Sequence, residues 1–245
     1  MAELIRRLSW PPAGDTDPES LVTREWLVTN GLGGYASGTV PGVITRRYHG
    51  LLIAALPAPL GRIVMLSHVA EQVTLAGGRC IEIGGRERSG DAPDAHGTGY
   101  LTEFRLESGL PVWRYDVEGL IIEKRLFLPH MQNTVHLSYE LLSGADQVQL
   151  LLRPSVNFRA QESPVSERLG WPYEFKAVAG HFEIERWSTP NGGYSWSRKT
   201  VIRDGADDLR PVVPRGPSGG GIRLLWLQGY YGSYTTYRTS VAFLR

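Results

Sequence analysis

The sequence has almost no cysteine. Cys80 is the single one among 245 residues, which excludes an intrachain disulfide and a cysteine-based zinc site and leads us to expect a reducing compartment. Cys80 follows Arg79 and precedes Ile81 in a predicted strand, and reads as a small core hydrophobe. Long apolar runs are missing too. The longest, 51–60, is interrupted by Pro57 and Pro59 and is half the length of a membrane span. The opening residues, Met1 to Arg7, lack the apolar stretch of a signal peptide. Neither sign of charge dominates: 26 Lys and Arg stand against 25 Asp and Glu, a net charge of +1. That balance removes the electrostatic case for a nucleic-acid binder, and for a basic face against an anionic membrane. A soluble, cytoplasmic chain with neither partner is the expectation.

Helical periodicity is scarce as well. Only Ala2 to Leu8 reads as a short helix, so nothing supplies the crossovers of a parallel α/β fold. The prevailing period is 2. Trp113, Tyr115 and Val117 alternate with Arg114, Asp116 and Glu118. Val135, Leu137, Tyr139 and Leu141 alternate with His136, Ser138 and Glu140; Phe104 and Leu106 alternate with Glu103, Arg105 and Glu107; Phe182 and Ile184 alternate with Glu183 and Glu185. Glycine turns separate such runs at Gly77-Gly78, Ser108-Gly109, Glu118-Gly119, Ser143-Gly144, Ala179-Gly180 and Asn191-Gly192-Gly193. Many short two-faced strands predict an all-β fold, a large antiparallel β-sandwich with little helix. Residues 84–99 and 161–170 read as loops.

The composition changes near residue 190. Residues 191–245 carry eight Lys or Arg against three Asp, a charge of +5, which leaves −4 on residues 1–190. No Glu follows Glu185; Pro and Gly crowd Pro211 to Gly221, and Tyr, Gly, Ser and Thr crowd Gly229 to Tyr237. We therefore divide the chain into a sandwich at 1–190 and a basic, Gly/Tyr-rich tail at 191–245, an atypical or incomplete end of the same domain. Three accounts of the tail stay open: an aromatic and basic surface that stacks on sugars or single strands, a poorly ordered extension, or a change of coding frame after about residue 190.

The most distinctive block is EWLVTNGLGGYASGTVPGVITRRYHGLL at 25–52. Gly31, Gly33 and Ala36 have the spacing of a dinucleotide fingerprint, but that device needs a helix directly after the glycines. Ser37-Gly38-Thr39-Val40-Pro41-Gly42 cannot continue as one. The local reading is a strand at Trp26 to Thr29, a glycine turn at Asn30 to Gly34, a short strand, a turn at Pro41-Gly42, and a strand through Ile44 to Ala55. Thr45-Arg46-Arg47-Tyr48-His49 then enters a buried strand, a conflict of the kind that marks functional or interface sites. The competing reading is a buried polar cluster in which arginine pairs with carboxylate and His49 is a satisfied core histidine.

This block resembles the N-terminal domain of the bacterial and archaeal type of glycogen debranching enzyme, an amylo-α-1,6-glucosidase. The resemblance rests on Trp26 to Thr39 together with Thr45 to Leu52. Trp113-Arg114-Tyr115, Ile122 to Arg125 with Phe127, Gln132 to Val135, Leu152-Arg153-Pro154 and Val156 to Arg159 add to it. It covers roughly residues 20–160, fades to about 190, and is lost in the tail. The resemblance implies a β-sandwich ahead of a helical α/α barrel that holds the glycosidase acid and base. The partners it implies are glycogen or a related α-glucan and such a barrel, here in trans. No cofactor is implied. On this expectation the chain recognises or shapes an α-glucan site and is non-catalytic alone.

The residues themselves agree. Glycoside hydrolysis needs two carboxylates about 5–9.5 Å apart across the bond. Glu183 and Glu185 share one strand face and read as solvated; Asp91, Asp94, Asp207 and Asp208 read as turn or solvated residues. The histidines show no metal spacing, so no metal is expected. Sugar recognition needs aromatic rings beside directed hydrogen-bond donors. Trp113 and Tyr115 alternate as core residues, so the candidates for substrate binding or interdomain packing are Trp26, Asn30, Tyr35, Arg46, Arg47, Tyr48 and His49. The alternatives are a truncated or frame-shifted fragment without activity of its own, and a stand-alone lectin-like α-glucan module.

Overall fold

The computed structural model describes residues 4–9, 22–56, 61–85, 97–144, 148–165, 174–178, 181–188, 196–204, 223–228 and 240–244. In chain order their strands are β1 (Leu4–Ser9), β2 (Glu25–Thr29), β3 (Tyr35–Thr39), β4 (Gly50–Leu56), β5 (Gly61–Leu66), β6 (His68–Thr74), β7 (Cys80–Ile83), β8 (Leu101–Glu107), β9 (Leu110–Val117), β10 (Leu120–Phe127), β11 (Thr134–Ser143), β12 (Val148–Ser155), β13 (Glu174–Val178), β14 (His181–Ser188), β15 (Trp196–Asp204), β16 (Arg223–Gln228) and β17 (Ser240–Leu244). They form a nine-stranded sheet, β1-β8-β9-β10-β11-β16-β15-β14-β13, and two four-stranded sheets, β17-β12-β6-β7 and β2-β3-β4-β5. The named strand pairs are antiparallel, as the period of 2 and the turn glycines led us to expect.

The turns set the registers. Ser108 and Gly109 both have positive φ, as do Glu118 and Gly119. Two such residues in sequence make the hairpin turn whose twist matches that of the flanking strands. The resulting register brings Phe104, Trp113, Lys124 and Tyr139 opposite one another across β8, β9, β10 and β11. This row faces the core, where Leu126, Leu137, Leu150, Phe158 and Met65 are fully buried. The opposite face of the same strands carries a charge lattice. Arg105 bonds to Glu103 at 2.9 Å, Glu107 at 2.5 Å and Glu123 at 2.7 Å, and Glu123 also meets Arg114 and Arg125. Burial raises the Glu107 carboxyl, but Arg105 and Arg125 together hold it below the usual carboxylate range. Glu123 is 2% exposed. It is stable there because three arginines meet its carboxylate, and loss of one partner would strand a buried charge.

Three local expectations are corrected. Leu4–Ser9 is an edge strand on β8, not a helix; its extended form puts Arg7 against Glu103 at 3.2 Å. Residues 44–49 are a loop rather than part of a long strand, because β4 begins only at Gly50 and the backbone turns where His49 N donates to Arg46 O. Cys80 is exposed. Along β7 the alternation turns Ile81 and Ile83 inward and so turns Cys80 outward.

The large sheet takes strands from both sides of residue 190, and β17 pairs with β12. Pro211 to Gly221, Gly229 to Tyr237, Asp91, Asp94, Asp207, Asp208 and most of the two predicted loops lie outside the described residues. No helix among the described residues is long and apolar enough to cross a membrane.

Gly119 tests the turn argument. Its φ is +89°, and a Cβ there would meet no atom within 4 Å. Gly119→Ala should therefore lower stability by about 1–2 kcal/mol through backbone strain alone. Urea unfolding should show an unchanged slope and a lower midpoint.

Candidate functional site

The distinctive block folds as β2, a glycine turn, β3, the 40–49 loop and β4. Asn30 holds the first turn. Its Oδ1 accepts from Leu32 N at 3.0 Å and Gly34 N at 2.9 Å, while its Nδ2 donates to Gln132 O and Asn133 Oδ1. Asn133 in turn exchanges two hydrogen bonds with the Ala55 backbone, at 3.0 and 2.7 Å. Gly34 must be glycine, since a Cβ would lie 2.6 Å from Asn30 Nδ2 and 2.9 Å from Ile53 O.

The 40–49 loop is anchored at both ends. At its start, Val40 O accepts from the Trp113 indole at 2.8 Å, and Thr39 O accepts from the Trp26 indole at 3.1 Å. The two tryptophans meet edge to face at 5.3 Å. At its end, Tyr48 O accepts from both Tyr35 Oη and Ser37 Oγ at 3.1 Å. Arg159 clamps the middle. Its guanidinium donates to Arg47 O and to the carbonyls of Ala160, Gln161 and Ser163. The turn so formed presents Glu162, which pairs with Arg47 at 3.0 Å.

The seven predicted residues therefore divide. Trp26, Asn30 and His49 are buried. Tyr35, Arg46, Arg47 and Tyr48 reach the surface together, with the Arg46 guanidinium 5.9 Å from the Tyr48 ring centroid. Glu25 binds Arg46 and lies 3.4 Å from His49 Nε2. Thr45 N donates to His49 Nδ1, so the ring is neutral with its proton on Nε2. Burial pushes the His49 imidazole below its ordinary range and Arg46 adds to this, against the opposing pull of Glu25. Burial likewise raises the Tyr35 phenol, opposed by Arg62. The block pairs Arg46 with Glu25, buries His49 with its Nε2 lacking an aligned acceptor, and presents Arg46, Arg47 and Tyr48 at the surface.

Beneath the loop lies a second cluster that sequence reasoning missed. Glu71 on β6 accepts Lys124 Nζ from β10 and Tyr139 Oη from β11, each at 2.5 Å. Lys124 also sits 5.1 Å from the Trp113 ring centroid. His68 and Glu71 line a cavity of about 40 Å³ with Tyr115, His49 and Lys124. Ligand sites for organic molecules span roughly 300–1,000 Å³, so this space does not hold a sugar. Burial, with Lys124 beside it, lowers the His68 pKa to about 4, against the hydrogen bond to Gly85 O. Among the described residues no group of three or more His, Cys, Asp or Glu is placed to hold a metal.

Fold and site together define an all-β sandwich module that carries an aromatic–arginine surface over a charge-compensated core. The family model for the N-terminal domain of glycogen debranching enzyme matches residues 24–197, and the chain belongs to that family. No curated protein matches the sequence significantly. The matched span contains the whole distinctive block and both clusters.

His68 contributes to the acid behaviour. Its folded pKa lies below its unfolded one, so the unfolded chain binds more protons between the two values. Stability is complete above about pH 6.5 and declines as pH falls to about 4, by on the order of 3 kcal/mol for this residue. Thermal melts across that range should show the fall, and His68→Gln should reduce it, leaving the part due to buried His49 and His136.

Proposed function

We propose that this chain is the α-glucan recognition and scaffold domain of a glycogen debranching system, with glucan contact on the Tyr35–Arg46–Arg47–Tyr48 surface. The observation that carries this reading is the joint exposure of Arg46, Arg47 and Tyr48 on a loop fixed from three directions, with the half-buried Tyr35 of β3 beside them. Tyrosine rings suit the C–H faces of glucose, and guanidinium groups suit its hydroxyls. Membership of the debranching family supplies the substrate class.

The same geometry supports a non-catalytic role for these residues. Glu25 and Glu162, the carboxylates beside the surface, are each engaged by an arginine, which opposes the proton transfers a glycosidase acid must make. On this reading the hydrolysis of α-1,6 branch linkages falls to an α/α barrel, and this domain holds glucan at or near its entrance. We place the domain in glycogen breakdown in the cytoplasm.

Affinity electrophoresis in glycogen-containing gels tests the proposal. The wild-type chain should be retarded, and Tyr48→Ala should weaken retention about tenfold, the effect of losing one aromatic contact of roughly 1.4 kcal/mol. Phe127→Ala, on the outer face of the large sheet, should leave retention unchanged. A folded chain that glycogen does not retard would overturn glucan contact and leave domain docking as the role of this surface.

A further inference from the structure

The cavity under the 40–49 loop contains more hydrogen-bonding capacity than the protein uses. Glu71 spends one carboxylate oxygen, Oε1, on both Lys124 and Tyr139. Its other oxygen, Oε2, has no donor among the described residues. An ideal Cβ on Gly84 would lie 3.7 Å from Glu71 Oε2 and 3.7 Å from the Tyr115 hydroxyl, so both atoms border the same small space. The Tyr115 hydroxyl makes no hydrogen bond to a described residue. His49 Nε2 is fully enclosed and has no aligned acceptor. These three residues are each no more than 2% exposed. Polar groups removed from bulk solvent are satisfied in natural proteins by protein or by ordered water.

Size and charge select the guest. A cavity needs about 10–15 Å³ for each water it holds, and this one measures about 40 Å³. The Glu71 carboxylate is balanced by the Lys124 ammonium, and the neighbouring histidines are held neutral by burial. A net-neutral site of this size favours a small neutral guest over an ion. The groups that border it offer an acceptor, Glu71 Oε2, and a hydroxyl that both donates and accepts, Tyr115 Oη, which is the pattern water satisfies with several hydrogen bonds.

We propose that this cavity is a binding site for a cluster of two or three ordered waters, bridging Glu71 and Tyr115 beneath Gly42, Val43 and Ile44 of the loop. The cluster is a structural ligand of the loop that carries the exposed tyrosine and arginines. The inference stands whether or not that surface binds glucan.

A high-resolution crystal structure of the full chain, paired with the melting temperature of Tyr115→Phe, tests it. We expect solvent density within hydrogen-bond distance of Glu71 Oε2 and Tyr115 Oη. Tyr115→Phe should lose the water at the hydroxyl position and lower the melting temperature by about 2–4 °C, since a bridging partner is removed from a buried network. A dry cavity would overturn the proposal. So would a rise in melting temperature for Tyr115→Phe, because removing an unpartnered buried hydroxyl stabilises a protein.

Discussion

The Glu71 carboxylate lies between sheets, far from bulk water, and the surrounding chain is arranged around its compensation. Burying such a group is expensive unless it is paired and hydrogen-bonded in place. The partners come from a different sheet: Lys124 on β10 and Tyr139 on β11 both converge on Oε1. The pair therefore fixes how the β6 sheet sits against the nine-stranded sheet. Lys124 then lies over Trp113, and Trp113 meets Trp26 edge to face. The two indoles bind the backbone at Thr39 and Val40, where the distinctive loop departs. One buried charge is thus connected, contact by contact, to the position of the exposed Arg46 and Tyr48.

The surface of the loop is held in a complementary way. Arg159 binds four backbone carbonyls and so fixes both the 160–163 turn and Arg47. Guanidinium suits this task because its planar fork presents five fixed donors, which an ammonium cannot reproduce. The arginines at the surface have carboxylate partners close by, and this holds their side chains in defined positions. Pre-positioned aromatic and guanidinium groups reduce the ordering cost of binding. The proposed function rests on such a pre-positioned surface.

Much of this fold is legible in the sequence, for identifiable reasons. Strict alternation around Trp113 and Tyr139 reveals the two-faced strands, and Gly109 and Gly119 mark the hairpins. The 25–52 block carries the family resemblance in its residues alone. The departures are local. Leu4–Ser9 has no periodic signal strong enough to separate an edge strand from a helix, and pairing with β8 decides it. Residue type alone assigns Cys80 to the core, although strand phase turns it out. The seven site residues group together in the sequence because they share one segment; burial then separates Trp26, Asn30 and His49 from the four at the surface. The Glu71–Lys124–Tyr139 cluster is hidden in the sequence because its members lie on three strands and each is a polar residue at an inward phase. That phase violation is the available signal: Lys124 occupies the same face as Ile122 and Leu126. Arg159, which closes the buried run Val156 to Phe158, carries a similar one.

The most direct measurement of the central claim is backbone and tyrosine side-chain NMR of the chain titrated with a linear maltooligosaccharide. The account predicts chemical-shift changes concentrated at Tyr35, at residues 46–48 and at the neighbouring Glu162 turn, with the Glu71–Lys124 core undisturbed. Saturating shifts centred on another surface, or none at all from a folded chain, would contradict it.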